Sequence, residues 1–302
     1  MRHHNSAIVR VRILAQRAAE IQSPSQESFN LGRPAVTQDY VHGYTDRESA
    51  RLVDQATTLT EFLHAGTIFP SGCSVLEAGC GVGAQTVTLA KNSPDARIIS
   101  VDISDESLRV AAERVKSAGV TNVNLEKADI FDLPFQRATF DHAFVCFVLE
   151  HLSEPHEALS RLRTVVKPGG TITVIEGDHG STCFHPDSVC ARRAIHCLID
   201  LQARAGGDSL IGRRLYPILV AAGLRDVQVV PKLVYVDASR PELIEGFTRN
   251  TFTAMVEGVR ERALELGLID LETWDRGIAG LHRTAQEDGT FCYTFFKGVG
   301  TN

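Results

Sequence analysis

The chain has no Cys-x-x-Cys pair, no apolar run of membrane length and no excess of positive charge. Its seven cysteines (Cys73, Cys80, Cys146, Cys183, Cys190, Cys197 and Cys292) are odd in number and match no strong zinc spacing. A reduced, cytoplasmic protein is therefore expected, with no disulfide framework and no metal centre. Cys183, Cys190 and Cys197 recur every seven residues, and Cys190 and Cys197 read as small apolar residues on the inner face of one helix. No stretch approaches the roughly 20 apolar residues of a membrane span, and the basic N-terminus lacks the apolar core of a secretory signal, so no membrane partner is expected. The 31 Lys and Arg against 37 Asp and Glu give a net charge of −6. A nucleic-acid binder presents a basic face instead, so nucleic acid is not expected as a partner. Internal repeats and low-complexity tracts are absent as well.

What is present is a spaced set of glycines and acids. Val75-Leu76-Glu77-Ala78-Gly79-Cys80-Gly81-Val82-Gly83 runs from two apolar residues through an acid into alternate glycines, and helix-prone sequence from Gln85 to Ala90 follows. This predicts a buried strand, a tight turn and a helix start. Glycines in such a turn let the backbone approach a ligand, and the free N–H groups of the helix start receive an anionic group. Asp102 closes the second apolar run, Arg97 to Asp102, about twenty residues on, where parallel nucleotide-binding sheets hold ribose hydroxyls. Asp129 closes Val123–Asp129, Phe140–Val148 reads as a buried fourth strand, and Pro168-Gly169-Gly170 leads into a fifth strand ending at Glu176. The acids sit at the C-terminal strand ends, the side on which open α/β sheets bind ligands.

With Glu77-x-Gly79-x-Gly81-x-Gly83, Asp102, Ala128-Asp129-Ile130, Leu133-Pro134-Phe135 before Phe140-Asp141, and Lys167-Pro168-Gly169-Gly170, the chain resembles the class I S-adenosylmethionine (SAM)-dependent methyltransferases, nearest to the ubiquinone and menaquinone group. The resemblance covers roughly residues 40 to 236, with a return at 289–299. It implies SAM as cofactor and an α/β, Rossmann-like fold: a seven-stranded, mostly parallel sheet with its last strand antiparallel, helices on both faces and a helical lid insertion. It also implies roles residue by residue. The backbone around Ala78, Gly79 and Gly81 approaches the methionine part. Glu77 lies beneath that loop and accepts from the ammonium, while Gln85 and Thr86 help hold the carboxylate. Asp102 accepts both ribose hydroxyls and Ile103 packs on the adenine. Asp129 accepts from the adenine amino group, with Ala128 and Ile130 beside the ring. Phe147 and Val148 lie under the sulfonium. Tyr44, with Tyr40 and His42 just before the first helix, points at the sulfonium or the acceptor, or packs at a helix start.

Residues 1–38 read as a loose N-terminal arm, and residues 39–302 as the methyltransferase domain, with lid elements at 183–222 and 240–285. Thr45-Asp46-Arg47-Glu48 is a capping box opening a helix through His64. Further helices are expected over Asp105–Ala118, capped by Ser104, and over Glu150–Val166, Asp187–Ala205, Leu210–Ala222 and Pro241–His282. Strands are expected over Asp226–Val236 and Thr290–Phe296, and Pro231 marks an edge or bulge in the former. Candidate bases and acceptor-orienting groups follow the fourth and fifth strands: Glu150, His151, Glu176, Asp178, His179 and His185. His179, Glu176 and Tyr44 are the principal catalytic candidates. With no Asn/Asp-Pro-Pro-Tyr after the fourth strand, and with an acidic balance and a lid, the expected acceptor is a small aromatic or lipophilic metabolite, of secondary-metabolism type, methylated at nitrogen or carbon. An oxygen acceptor, SAM chemistry without methyl transfer, a SAM-binding module without catalysis, and a homodimer all stay open. An NAD-dependent oxidoreductase fits less well, because its fingerprint is Gly-x-Gly-x-x-Gly.

Overall fold

A computed structural model describes residues 59, 60 and 62–302. The arm over 1–38, Tyr40, His42, Tyr44 and the capping box at Thr45 lie outside the described residues.

Seven strands form one sheet in the order β3-β2-β1-β4-β5-β7-β6. They are β1 (Ser74–Ala78), β2 (Arg97–Asp102), β3 (Val123–Lys127), β4 (Phe140–Cys146), β5 (Val166–His185), β6 (Arg225–Val236) and β7 (Thr290–Thr301). β1 to β5 pair in parallel, and β7 runs antiparallel to both neighbours, β5 and β6. The central strands read as unbroken apolar runs because both faces of the sheet are covered. Successive side chains alternate between two cores. Val75, Phe144 and Ile175 pack on one face with α1 (Ala84–Asn92) and α4 (Val189–Arg204). Leu76, Val145 and Val174 pack on the other with α3 (Pro155–Val165) and α5 (Leu215–Ala221). Between them in sequence, α2 (Asp105–Ser117) starts at Ser104, whose hydroxyl accepts from the Ser107 N–H.

Two pieces of the recognisable pattern lie far from the ligand side. Asp141, at the start of β4, accepts from the Lys167 ammonium at 2.6 Å and from the Ser74 N–H and hydroxyl, each at 2.8 Å. Those contacts hold its carboxyl well below the usual range. A Cβ on Gly170 would stand 2.3 Å from the Asp141 carbonyl oxygen, so the turn into β5 closes against β4 only with glycine there. The Phe-Asp and Lys-Pro-Gly-Gly motifs thus join three strands at their N-terminal ends.

Several boundaries differ from the sequence reading. The helix expected from Glu150 begins at Pro155, after a 3-10 turn over Leu149–His151, because proline is suited to the first helical turn and not to the interior. β3 and β4 stop at Lys127 and Cys146, before Asp129 and Phe147. Residues 177–185, read as loop and lid start, continue β5 because β7 pairs with them up to His185–Thr290, with an irregularity between Asp178 and Cys183. The helix expected from Asp187 therefore starts at Val189. The helix expected from Leu210 opens as a 3-10 turn over Ile211–Arg214 before α5. Pro241–His282 is not one helix. It divides into α6 (Pro241–Leu243), a π-helix (Ile244–Thr253), α7 (Ala254–Glu257), α8 (Arg260–Glu265) and α9 (Leu271–Arg283). The π-helix is wound more widely than an α-helix, and the Thr251 hydroxyl donates to the carbonyl five residues back, on Gly246, at 2.7 Å. β6 is an edge strand, which accommodates Pro231, and β7 extends to Thr301. No helix among the described residues is long and apolar enough to cross a membrane.

Candidate active site

The turn after β1 is built by its glycines. Gly79 and Gly83 adopt φ of +76° and +74°, the left-handed region that glycine enters without steric cost. A Cβ on Gly79 would sit 2.4 Å from Cγ2 of Val148, so the turns after β1 and β4 touch only because glycine is there. A Cβ on Gly83 would press on Ala111 of α2 at 3.0 Å. Around Gly81, with φ +51°, nothing lies within 4 Å of a Cβ position, so that part of the turn faces open space. The Gly79 and Cys80 N–H groups donate to the Val101 carbonyl, and the Arg114 guanidinium donates to Val82.

Asp102 stands beside this turn. One carboxylate oxygen accepts from the Gly81 N–H at 2.8 Å and the other from the Ser104 N–H at 2.9 Å. The carboxyl thereby fixes the turn and the start of α2. Each oxygen keeps acceptor capacity for a ligand hydroxyl. Burial nonetheless raises its proton affinity. Ile103, the next residue, is 59% exposed, an apolar side chain offered to solvent beside an acid. Ala128 is tied to the Asp102 carbonyl through its N–H, and Asp129 accepts from the Phe131 N–H while bridging to Asp132. Ile130 is half-buried nearby in the sequence. Gly81, Asp102, Ile103 and Asp129 thus lie at or just past the C-terminal ends of β1, β2 and β3, and acceptor carboxylates beside an open glycine turn and an exposed apolar side chain fit the chemistry of SAM.

Glu77 sits deeper. It is 2% exposed and accepts from the Thr86 hydroxyl at 2.7 Å and the Ser100 hydroxyl at 2.6 Å. Burial pushes its carboxyl up to about 7 against the pull of those two donors. The Thr86 hydroxyl is thus directed at Glu77. The Gln85 side-chain oxygen meets the His64 ring, which ties the start of α1 to the helical segment before β1. Ser100 was not among the sequence candidates, since a serine inside a strand carries no signal of its partner.

Beyond β4 the backbone turns sharply. Phe147 has φ +57°, unusual for a non-glycine residue. Its N–H donates to Ile175, and the next two N–H groups, of Val148 and Leu149, donate to Oε1 of Glu176 at 3.1 and 2.8 Å. Glu176 is fully buried, and its other oxygen has no partner among the described residues. Burial and the neighbouring Glu150 hold its carboxyl well above the normal range. His179, also buried, places Nδ1 2.7 Å from the Tyr293 hydroxyl and meets Phe252 of the π-helix edge-on. Burial, with the acids Glu150 and Asp178, drives the Tyr293 hydroxyl well above its usual proton affinity. Phe147 packs on Phe295, two residues along β7 from Tyr293. A carboxyl pair, an imidazole and a phenol therefore gather next to the turn that carries Phe147 and Val148, with Phe252 of the π-helix packed on the imidazole and the phenol. Tyr293 escaped the sequence reading. Its signal is the alternation Phe291-x-Tyr293-x-Phe295, a one-sided aromatic stripe with one polar member.

Other candidates part from this group. Asp178 is held by both nitrogens of a bidentate Arg213, each at 2.7 Å, as a structural pair. His185 lies exposed at the far end of β5. His151 lies 3.5 Å from Glu150, beside the group.

Residues 70–223 match the family described as "Methyltransferase domain". An uncharacterized 37.1 kDa protein in transposon TN4556 of Streptomyces fradiae is 35% identical over 190 residues, covering 62% of this chain and 54% of that protein. The chain thus spans about half the length of that relative. The 27-O-demethylrifamycin SV methyltransferase of Amycolatopsis mediterranei is 26% identical over 228 residues, 74% of this chain and 77% of that enzyme. Among solved structures, a Haemonchus contortus phosphoethanolamine N-methyltransferase bound to SAM shares the fold, with a TM-score of 0.51 and 18% identity over 82% of this chain and 52% of that one. With half of its length inside that family's domain, the chain belongs to the class I SAM-dependent methyltransferases.

Proposed function

We propose that the chain transfers the methyl group of SAM to a small organic acceptor, aromatic or lipophilic, at a nitrogen or carbon nucleophile. The observation that carries this reading is the buried group Glu176, Glu150, His179 and Tyr293 set beside the Phe147 turn and walled by aromatic side chains. The relative named for 27-O-demethylrifamycin supports an acceptor that is not a macromolecule. SAM supplies an already activated methyl, so the protein's part is alignment and exclusion of water. In this reading Asp102 accepts from the ribose hydroxyls, Ile103 and Ile130 flank the adenine, and Asp129 accepts from its amino group. The turn from Ala78 to Gly81 and the α1 start at Gln85 and Thr86 meet the methionine end above Glu77. Phe147 and Val148 lie under the sulfonium. Glu176 holds the turn that sets Phe147 and Val148. His179, oriented by Tyr293, takes the acceptor's proton where the acceptor carries one. Because His179 lies beneath the π-helix, the acceptor reaches it only as the lid shifts.

Product analysis with a panel of aromatic and lipophilic acceptors tests the reading, with S-adenosylhomocysteine and a methylated acceptor as the expected products. Methylthioadenosine in their place would replace methyl transfer by other SAM chemistry. His179→Ala should lower turnover about a hundredfold, the lower end for loss of a general base, while S-adenosylhomocysteine affinity by calorimetry stays at the wild-type value. Turnover equal to wild type would return His179 to a structural role.

A further inference from the structure

Cys183 on β5 and Cys292 on β7 are register partners in the antiparallel pair. Both are free thiols, Cys183 exposed and Cys292 half-buried. Directly opposed residues in antiparallel strands have Cα atoms about 4.5–5.5 Å apart, inside the roughly 4.4–6.8 Å span of a disulfide. Side chains at opposed positions also leave the sheet on the same face, and the two thiols are near enough to hydrogen-bond. The chain between them comprises α4, α5, β6, the π-helix and α9. The pair therefore sits where the lid leaves the sheet and where it returns. Along the strands it flanks the site: the β5 irregularity between Asp178 and Cys183 carries His179, and Tyr293 follows Cys292 with its side chain on the opposite face.

We propose that Cys183 and Cys292 form a thiol–disulfide site that clasps the base of the lid when a small-molecule disulfide is available. The exposed Cys183 thiolate attacks one sulfur of that disulfide. The small disulfide's S–S bond breaks, one small thiol leaves, and a mixed disulfide remains on Cys183. Cys292 then gives up its proton and attacks the Cys183 sulfur, closing the cross-strand bond and expelling the second small thiol. The two cysteines lose two electrons and two protons, and the small disulfide gains both. Burial and the adjacent Cys183 push the Cys292 thiol up to about 11. Both steps quicken in mild alkali, since the thiolate is the attacking form.

Incubation of the full chain with glutathione disulfide, alkylation of the remaining thiols and mass spectrometry test this. The wild type should lose two hydrogens, with the link mapped to Cys183 and Cys292. Cys292→Ser should instead keep a glutathione adduct on Cys183. The oxidised wild type should melt at a higher temperature than the reduced protein, a shift erased by dithiothreitol and absent from Cys183→Ser. A wild type that stays unreacted, that stops at the glutathione adduct or that links other cysteines would overturn the site. Closure without an upward melting shift would overturn the clasp.

Discussion

Glu77 is held by two hydroxyls in a place where water does not reach, and its proton is the charge-determining feature of the site's floor. The sign of its effect on stability follows from the shift. An ordinary Glu releases its proton near 4.5, whereas folded Glu77 keeps it to about 7. The folded state thus binds more protons in that interval, and Glu77's contribution is fully present below about pH 4.5 and lost as pH rises towards about 7. The shift corresponds to about 3 kcal/mol. Glu77→Gln, which keeps an acceptor for Thr86 and Ser100, should lose less stability than the wild type between about pH 5 and about pH 7.5. Urea midpoints at the two pH values measure this, and parallel pH dependences would mean that Glu77 is ionised in the folded protein. At this scale the sequence was informative where a residue's role is set by its neighbours along the chain. Gly79, Gly81 and Asp102 announce a turn and a strand end by spacing alone. Ser100 and Arg114 gave no such signal, because each acts on a partner brought near only by the fold.

At the scale of elements, the 3-10 turn over Ile211–Arg214 is fastened to β5 by Arg213 on Asp178, a carboxylate 2% exposed. The turn also packs closely: a Cβ on Gly212 would stand 2.6 Å from the Gly177 carbonyl. Removing the guanidinium leaves a buried carboxylate held, among the described residues, by the Gly180 N–H. Arg213→Ala should therefore destabilise the fold by about 1–3 kcal/mol, a range kept low because the Arg213 side chain is about half exposed. Denaturant unfolding reads this directly, and a loss within about 0.5 kcal/mol, the ordinary scale of surface changes, would make the pair incidental. Elements were legible where periodicity was long and a cap was present, as for α2 from Ser104. The helices after β6 were the least legible part. Pro241–His282 carries a helical apolar stripe, yet its backbone widens to a π-helix where Phe247 and Phe252 both turn into the aromatic cluster around Phe291 and Tyr293. The run from Gly177 to His185 looked like loop because its glycines and polar residues hide a strand that exists only through pairing with β7.

For the whole molecule, the family assignment predicts linkage between cofactor and stability. A ligand at a hundred times its dissociation constant that binds only the folded state adds about 2.7 kcal/mol, which raises Tm by roughly 5–10 °C for a domain of this size. S-adenosylhomocysteine should produce such a shift, NAD should not, and Asp102→Ala should abolish it while folding as judged by circular dichroism. A shift retained in the variant would remove Asp102 from the nucleoside grip. The order of the sheet has a further consequence, for how the protein is made. Residues 290–301 form β7, and β7 lies inside the sheet, between β5 and β6. As the chain emerges from the ribosome, β1 to β5 are available to pair while the slot beside β5 stands empty, its backbone groups unmet until residue 290 and its successors appear. Asn302 then anchors where α3 passes into β5, with its side-chain amide donating to the Arg163 and Val166 carbonyls and its backbone carbonyl accepting from the Gly169 N–H. A nascent chain of this sequence therefore carries an open edge at β5 from about residue 185 until residues 290–301 pair with it, the kind of surface that holdase chaperones cover.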